Sequence, residues 1–157
     1  MDSVNKRILG ATSTSYNGIK FKSRLECSCY KKLEHSGLDF SYEGERVVLL
    51  EGFKPRNITI YAPNRKIVGR YSKELNIKDR AIINITYTPD FIVVKGDYKI
   101  YFDVKGKEND VYPIKKKMFL KYLEEKNDGL KYIFFEPHSV TQMMQAINII
   151  NQLWADN

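Results

Sequence analysis

Two aspartates and a lysine lie on the polar side of a predicted hairpin that spans residues 88–105. The segment reads T-P-D-F-I-V-V-K-G-D-Y-K-I-Y-F-D-V-K, and its Gly-Asp pair is a two-residue turn that joins antiparallel strands in fixed register. With this turn Asp90 faces Asp103, and Lys105 emerges on the same face because side chains alternate along a strand. Opposed side chains lie about 4.5–5.5 Å apart at Cβ, where like charges repel. The pattern therefore predicts a positive group between the acids, and a hard divalent cation is the obvious candidate.

Three carboxylates with water form an oxygen site that suits Mg²⁺ or Mn²⁺. Asp90 and Asp103 supply two of them, and we expect the third, Glu26, from a helix packed beside the hairpin. A cation held there can lower the pKa of a bound water and stabilise charge on a phosphoryl oxygen. Lys105 would position or deprotonate the attacking water, or neutralise the developing charge.

Three helices and a set of strands are predicted to position these residues. Ser23 and Glu26 have the spacing of a capping box, and Gly37 ends the helix that they begin. Pro113 suits the first turn of a second helix, and Ser139 caps the last one. The predicted apolar stripe of the second helix is Ile114, Met118, Phe119, Tyr122 and Leu123. The far side of the hairpin is predicted to be core, formed by Phe91, Val93, Ile100, Phe102 and Val104.

The element order α-β-(β-β)-β-β-α-β-α predicts an α/β domain with a central mixed β-sheet flanked by helices. Residues 1–17 lack periodicity, and we expect a flexible N-terminal tail there. Residues 18–157 are predicted to form a single domain with an insertion at about 51–80. Two further expectations are a hairpin that turns at Pro63-Asn64 within the insertion and a long strand over 81–94.

The composition is typical of a soluble globular protein, with 43% hydrophobic and 29% charged residues in 157. No apolar run approaches the roughly 18 residues of a membrane span, and the first residues show no signal peptide. Cys27 and Cys29 point in nearly opposite directions on a helix, and the two histidines give no zinc pattern. We expect a cytoplasmic protein with reduced thiols and no membrane partner.

The net charge of +7 indicates a polyanionic partner, and the clustering of the cations strengthens that indication. Basic residues precede the first helix and continue beyond the hairpin acids into the second helix. We predict contacts with the phosphates of such a partner from Lys22, Arg24, Lys107, Lys115, Lys116, Lys117 and Lys121. The alternative for the lysines of the second helix is a solvated helix face.

Pro89-Asp90 followed by Asp103-Val104-Lys105 resembles the motif of the PD-(D/E)xK nuclease superfamily. The likeness extends to the phage endonuclease I type of Holliday-junction resolvase and covers about residues 18–50 and 85–125. That motif alone is loose, but it is more specific with the S-x-L-E helix and Y-T-P-D-F strand before it. The matching segments are G-I-K-F-K-S-R-L-E at 18–26, K-L-E-H-S-G at 32–37, F-S-Y-E at 40–43 and Y-T-P-D-F at 87–91.

The resemblance implies a restriction-endonuclease-like fold and a Mg²⁺-dependent endonuclease, in which Mn²⁺ substitutes. It implies metal ligation by Glu26, Asp90, Asp103 and the Val104 carbonyl, with Lys105 catalytic. The substrate would be branched DNA such as a four-way junction, cut to leave a 5′-phosphate. A phage-encoded enzyme of this kind would work in the host cytoplasm.

A homodimer is also implied, intertwined in the endonuclease I type so that the first acid comes from the other subunit. Two features depart from that family. Asp103 stands where the family usually has glutamate, and the segment 51–80 is longer than the usual bridge.

Other interpretations of the same residues remain open. Glu26 could serve only as the partner of Ser23 in a helix cap, and Asp103 with Lys105 could be an exposed ion pair. The chain could be a PD-(D/E)xK nuclease with another DNA substrate, of nicking, repair or restriction type. It could also be a DNA-binding module without catalysis.

Overall fold

The computed structural model describes residues 12–65 and 69–155. These ranges contain ten strands and three helices: β1 Thr14–Tyr16, β2 Ile19–Phe21, α1 Arg24–Ser36, β3 Phe40–Tyr42, β4 Val47–Leu50, β5 Tyr61–Arg65, β6 Tyr71–Ile77, β7 Ile85–Tyr87, β8 Phe91–Lys95, β9 Tyr98–Phe102, α2 Tyr112–Glu124, β10 Lys131–Phe135 and α3 Val140–Ala155.

A four-stranded mixed sheet in the order β10-β9-β8-β3 carries the main core. β9 and β10 are parallel, whereas β8 is antiparallel to both β9 and β3. Helices α1 and α3 share one buried cluster with β8 and β9. On the other face Phe119 of α2 packs against Tyr101 and Phe134, with ring centroids 5.1 and 6.0 Å away. The predicted mixed α/β class, with helices flanking a central mixed sheet, is confirmed.

The β8–β9 hairpin has the predicted register. Lys95 pairs with Tyr98 and Phe91 pairs with Phe102, which leaves Gly96 and Asp97 as the turn. The predicted core face is also confirmed, because each of its five residues is buried within the cluster shared with α1 and α3. The turn chemistry and the alternation of apolar residues together determine this register.

Helix boundaries follow the predicted capping residues. The Glu26 N–H donates to Ser23 Oγ over 3.1 Å, and Gly37 closes α1 with a φ of +73°. The Gln142 N–H donates to Ser139 Oγ over 3.2 Å at the start of α3. The stripe predicted for α2 is wrong at Ile114, which is 61% exposed. The buried positions of α2 are Tyr112, Phe119 and Leu123, which recur at helical spacing from the first residue of the helix.

The prediction of a tail through residue 17 is wrong for its last residues. β1 and β2 form an antiparallel hairpin in which Tyr16 pairs with Ile19. The turn is Asn17-Gly18, with φ values of +48° and +77°, and an Asn-Gly pair favours this conformation. Residues 1–11 lie outside the described ranges, so the expectation of flexibility there stays a prediction.

The chain divides into two compact units instead of the single predicted domain. The larger unit contains residues 1–47 and 87–157, and the smaller unit is Val48–Thr86. The predicted insertion at 51–80 therefore corresponds to a unit of its own with wider bounds. The two-stranded sheet of β4 and β7 lies where the chain enters and leaves this segment.

Two strand predictions near the smaller unit need correction. Pro63 and Asn64 do not form a turn, because both lie within β5, where Pro63 pairs with Leu75 of β6. The predicted strand over 81–94 is broken into β7 and β8, and Pro89 stands between them. Proline has no N–H to donate to a strand ladder, which explains the break. No helix in the described ranges combines the length and apolar character needed to cross a membrane.

Candidate active site

The hairpin brings Asp90 and Asp103 to one end of the central sheet, directly beyond the paired residues Phe91 and Phe102. The Asp90 N–H donates to the Phe102 carbonyl over 2.9 Å. The Val104 N–H donates to Asp90 Oδ2 over 2.7 Å, so the carboxylate of one strand is fixed on the backbone of the other. Both aspartates are buried, with 4% and 1% of their surface exposed. The pairing of these acids follows directly from the predicted register.

Glu26 lies in the first turn of α1, and its side chain is buried. Its Oε2 accepts hydrogen bonds from the Lys22 N–H at 3.3 Å and from the Tyr42 hydroxyl at 3.0 Å. Ser23 Oγ accepts from the Glu26 N–H, so the helix cap uses the backbone of Glu26 and leaves its carboxylate for other contacts. A capping role therefore does not account for the burial of the carboxylate.

The charges of the other two acids act on Asp90. Burial, and then the charges of Asp103 and Glu26, raise the pKa of Asp90 well above its usual range, while Lys105 and the Val104 N–H act in the opposite direction. Burial likewise raises the pKa of Glu26 against the hydrogen bond from Tyr42 and the charge of Lys22. Buried carboxylates that repel each other leave negative charge that a cation can offset.

Lys105 is fixed beside the acids by two contacts. Its Nζ lies 2.6 Å from Asp103 Oδ1 and 4.2 Å from the centroid of the Tyr112 ring. The Lys105 side chain is 23% exposed and that of Asp103 only 2%, so this pair is not the exposed ion pair of the alternative interpretation. The second oxygen of Asp103 accepts a hydrogen bond from the Tyr87 hydroxyl. Burial, followed by the charge of Asp103, raises the pKa of Tyr87, which therefore stays a donor at neutral pH.

Glu136 and Tyr112 extend the site in a way that the sequence interpretation missed. The Asp103 N–H donates to the Phe135 carbonyl over 3.0 Å, which continues the parallel ladder and places Glu136 beside Asp103. Glu136 accepts from the Tyr112 hydroxyl and, over 2.7 Å, from Lys116. The available signal was the position of Glu136 directly after the apolar residues of a strand, as for Asp103.

Glu108, Glu136 and His138 form another set of possible metal ligands in the described ranges. Their ligand atoms all lie within 4.8 Å of one another, whereas the predicted set of Glu26, Asp90 and Asp103 does not meet this spacing. Glu136 already accepts from two other donors, and Glu108 and His138 are exposed. The predicted acids fit Mg²⁺ if water completes the contact, because Mg²⁺ usually keeps several waters and binds one or two carboxylates directly. Their burial and mutual repulsion support that fit.

The predicted DNA-binding residues divide into two groups. Lys22 forms an ion pair with Glu43, Lys116 pairs with Glu136, and Lys121 pairs with Glu125 one helical turn away. Because Lys116 holds a partly buried carboxylate, its contact has a structural role. The remaining four are exposed or half-buried: Arg24, Lys107, Lys115 and Lys117.

Comparison with known families gives one match. A family model described as "Protein of unknown function (DUF1064)" matches residues 7–133. The chain belongs to the DUF1064 family. No curated protein and no solved structure matches the sequence.

The residues that the DUF1064 model matches include Glu26, Asp90, Asp103 and Lys105 and the whole of the smaller unit. It ends within β10, so Glu136 and His138 lie outside the matched residues. The description of the family assigns no activity, and the interpretation of the site therefore depends on its geometry.

Proposed function

We propose that this protein is a Mg²⁺-dependent endodeoxyribonuclease with a PD-(D/E)xK fold that acts on branched DNA. The observation that carries the proposal is the buried pair Asp90 and Asp103 on facing strands, with the Lys105 ammonium 2.6 Å from one of them. Glu26 adds a third buried acid that is coupled electrostatically to Asp90. Burying three acids is unfavourable unless a cation offsets their charge, so a role in binding explains what a structural role does not.

Glu26, Asp90, Asp103 and the Val104 carbonyl would hold the cation. Bound there, a divalent cation supplies positive charge to the phosphate and makes water a better nucleophile. The chain itself orients the site: the Val104 N–H and the Tyr87 and Tyr42 hydroxyls each fix one carboxylate oxygen. These contacts pre-organise the acids, so little rearrangement is needed during the reaction.

Lys105 would direct the hydrolytic step. Its ammonium group donates to the phosphate or to the attacking water and offsets the negative charge that develops there. The water oxygen forms a bond to phosphorus, the bond from phosphorus to the 3′ oxygen breaks, and that oxygen takes up a proton. The products are a 5′-phosphate and a 3′-hydroxyl. The face of Tyr112 holds the lysine in position through a cation–π contact.

Cleavage of a substrate panel tests this proposal. Purified protein is incubated in Mg²⁺ or Mn²⁺ with a four-way junction, a flap, a nicked duplex and a linear duplex of matched sequence. We expect cutting of the junction in preference to the linear duplex. Equal cutting of linear duplex would exclude the resolvase function but retain the nuclease, and binding without any cutting would indicate a non-catalytic DNA-binding module.

Variants at the site are compared with control variants at an exposed position of the same sheet. Asp90→Asn and Lys105→Ala should lower cleavage by at least about 100-fold, since each removes a ligand or a charge at the reacting centre, with DNA binding retained. Asp97 and Lys131 form an exposed pair at 2.9 Å. Asp97→Asn and Lys131→Ala are therefore the controls, and both should cleave like the wild type. Activity that survives either site variant would contradict the assigned roles.

A further inference from the structure

Most of the net positive charge of the chain lies in the smaller unit. Residues 48–86 contain eight lysines and arginines and three acids, which gives a net charge of +5 out of the total of +7. In the described residues of this unit no side chain is fully buried. A segment without a buried core that carries concentrated positive charge is typical of a surface that binds a polyanion.

One face of the β5–β6 hairpin exposes four large side chains. Tyr61, Tyr71, Leu75 and Ile77 are 59%, 62%, 65% and 63% exposed. Tyr61 pairs with Ile77 across the hairpin, and residues 71, 75 and 77 alternate onto the same side of β6. We call this surface the hairpin face.

Two cations share the hairpin face. Arg65 pairs with Tyr71, and Lys73 lies between Tyr71 and Leu75 in β6. Both are exposed, as is Glu74, the one acid within β6. The pairing is irregular between Pro63 and Arg65, where β6 has two more residues than β5, and Tyr71 pairs with Arg65 beyond that point. The hairpin face and its neighbours therefore combine aromatic, aliphatic and cationic groups, with cations outnumbering acids.

The charge on this face distinguishes between two possible occupants. A second copy of the chain, docked about a two-fold axis, would bring the same surface together and place cations of one sign at the contact. Nucleic acid instead offers phosphates to Arg65 and Lys73 and flat bases to Tyr61 and Tyr71. A two-stranded ribbon also has dimensions that a DNA groove accepts.

We propose that the hairpin face is a DNA-docking surface, in which Arg65 and Lys73 contact phosphates and Tyr61 and Tyr71 stack on exposed bases. The inference deepens the proposed function, on which it rests for the identity of the ligand as DNA. It assigns to the smaller unit a role in holding the substrate, separate from the chemistry at the hairpin acids.

DNA binding without cleavage tests the proposal. The affinity of the full chain is measured by fluorescence anisotropy in EDTA at several salt concentrations. The probes are a four-way junction, a single strand and a linear duplex. Arg65→Gln/Lys73→Gln should weaken binding to all three by about tenfold or more at 0.1 M salt and reduce the salt slope by about 2. Tyr61→Ala/Tyr71→Ala should weaken the junction and the single strand about tenfold and the linear duplex less.

The experiment also includes a control variant that loses the same number of charges, and a measurement of the molecular mass of each variant in solution. Lys32→Gln/Lys126→Gln removes two exposed charges outside the smaller unit and should change affinity by less than threefold. Circular dichroism verifies that each variant is folded.

Hairpin variants that bind DNA like this control would overturn the proposal. A change from dimer to monomer with unchanged DNA affinity would also overturn it, because the face would then hold a second copy. If the hairpin variants lose DNA binding and the wild type never cleaves DNA, the docking surface is supported and the nuclease function is refuted.

Discussion

Among single residues, the buried acids of the site destabilise the metal-free protein. Asp90 is buried beside two other carboxylates, and its pKa is raised by burial first and by their charges second. A carboxyl group whose pKa is higher in the folded state stabilises folding only at low pH. Its contribution is lost as the pH rises from the unfolded value through the folded one. The cluster of buried acids thus lowers the stability of the metal-free chain, and a bound cation would offset its negative charge.

Asp90→Asn should therefore stabilise the metal-free protein. Asparagine keeps an oxygen that can accept from the Val104 N–H but removes the repelling charge. We expect the melting temperature at pH 7 in EDTA to rise by a few degrees, at roughly 2–4 °C per kcal/mol for a chain of this length. The difference from wild type should vanish near pH 4, where the unfolded carboxyl titrates.

Differential scanning fluorimetry between pH 4 and pH 8 measures this difference. Asp97→Asn is the control, because that side chain is exposed and its pKa is lowered by the hydrogen bond from Lys131. A melting temperature for Asp90→Asn that falls at pH 7 would show that Asp90 is a stabilising structural group.

The residue types of the site could be predicted from the sequence, but not all of their partners. Asp90, Asp103 and Lys105 follow from a turn and an alternation that are local along the chain. Tyr42, Tyr112 and Glu136 belong to other elements, and only the pairing of β3, β8, β9 and β10 and the packing of α2 bring them to the site. Contacts between residues so distant in sequence leave no local pattern.

At the scale of elements, two helix caps provide a matched comparison. Ser23 caps α1, which carries Glu26, and Ser139 caps α3, which carries none of the predicted ligands. Ser23→Ala and Ser139→Ala should each lower the free energy of unfolding by about 1 kcal/mol. Only Ser23→Ala should also weaken Mn²⁺ binding, because its lost hydrogen bond holds the backbone of Glu26.

Urea denaturation and Mn²⁺ titration of the two variants make this comparison. Equal Mn²⁺ affinity in both, at equal loss of stability, would show that the position of α1 does not determine the metal site and would remove Glu26 from it.

The elements that the sequence predicts correctly each have a strong local signal. The β8–β9 hairpin and the starts of α1 and α3 each have a turn or capping residue, and their positions match. The Asn17-Gly18 turn has an equally strong signal, which was overlooked within a polar segment. The turn predicted at Pro63-Asn64 failed for another reason, since proline is tolerated within the edge strand of a two-stranded sheet.

At the scale of the whole molecule, the division into two units separates the proposed chemistry from the proposed docking surface. The larger unit contains every proposed ligand, and the smaller unit contributes most of the net positive charge. The sequence predicts an inserted segment but not that this segment forms a compact unit of its own. Compactness depends on contacts that charge and hydropathy patterns do not specify.

A resolvase that cuts a four-way junction symmetrically needs two active sites. We therefore expect a homodimer with twice the mass of one chain. Analytical ultracentrifugation in EDTA measures this mass. A monomer that still cuts junctions one strand at a time would retain the nuclease but contradict symmetric resolution.

Metal binding by the buried acids can be measured by titration with Mn²⁺ followed by electron paramagnetic resonance. We expect Asp90→Asn and Asp103→Asn to weaken Mn²⁺ binding at least tenfold, while Glu108→Gln, at the other candidate ligand cluster, binds like the wild type. Mn²⁺ binding that survives both aspartate changes and is lost in Glu108→Gln would place the cation at Glu108, Glu136 and His138 and contradict the account.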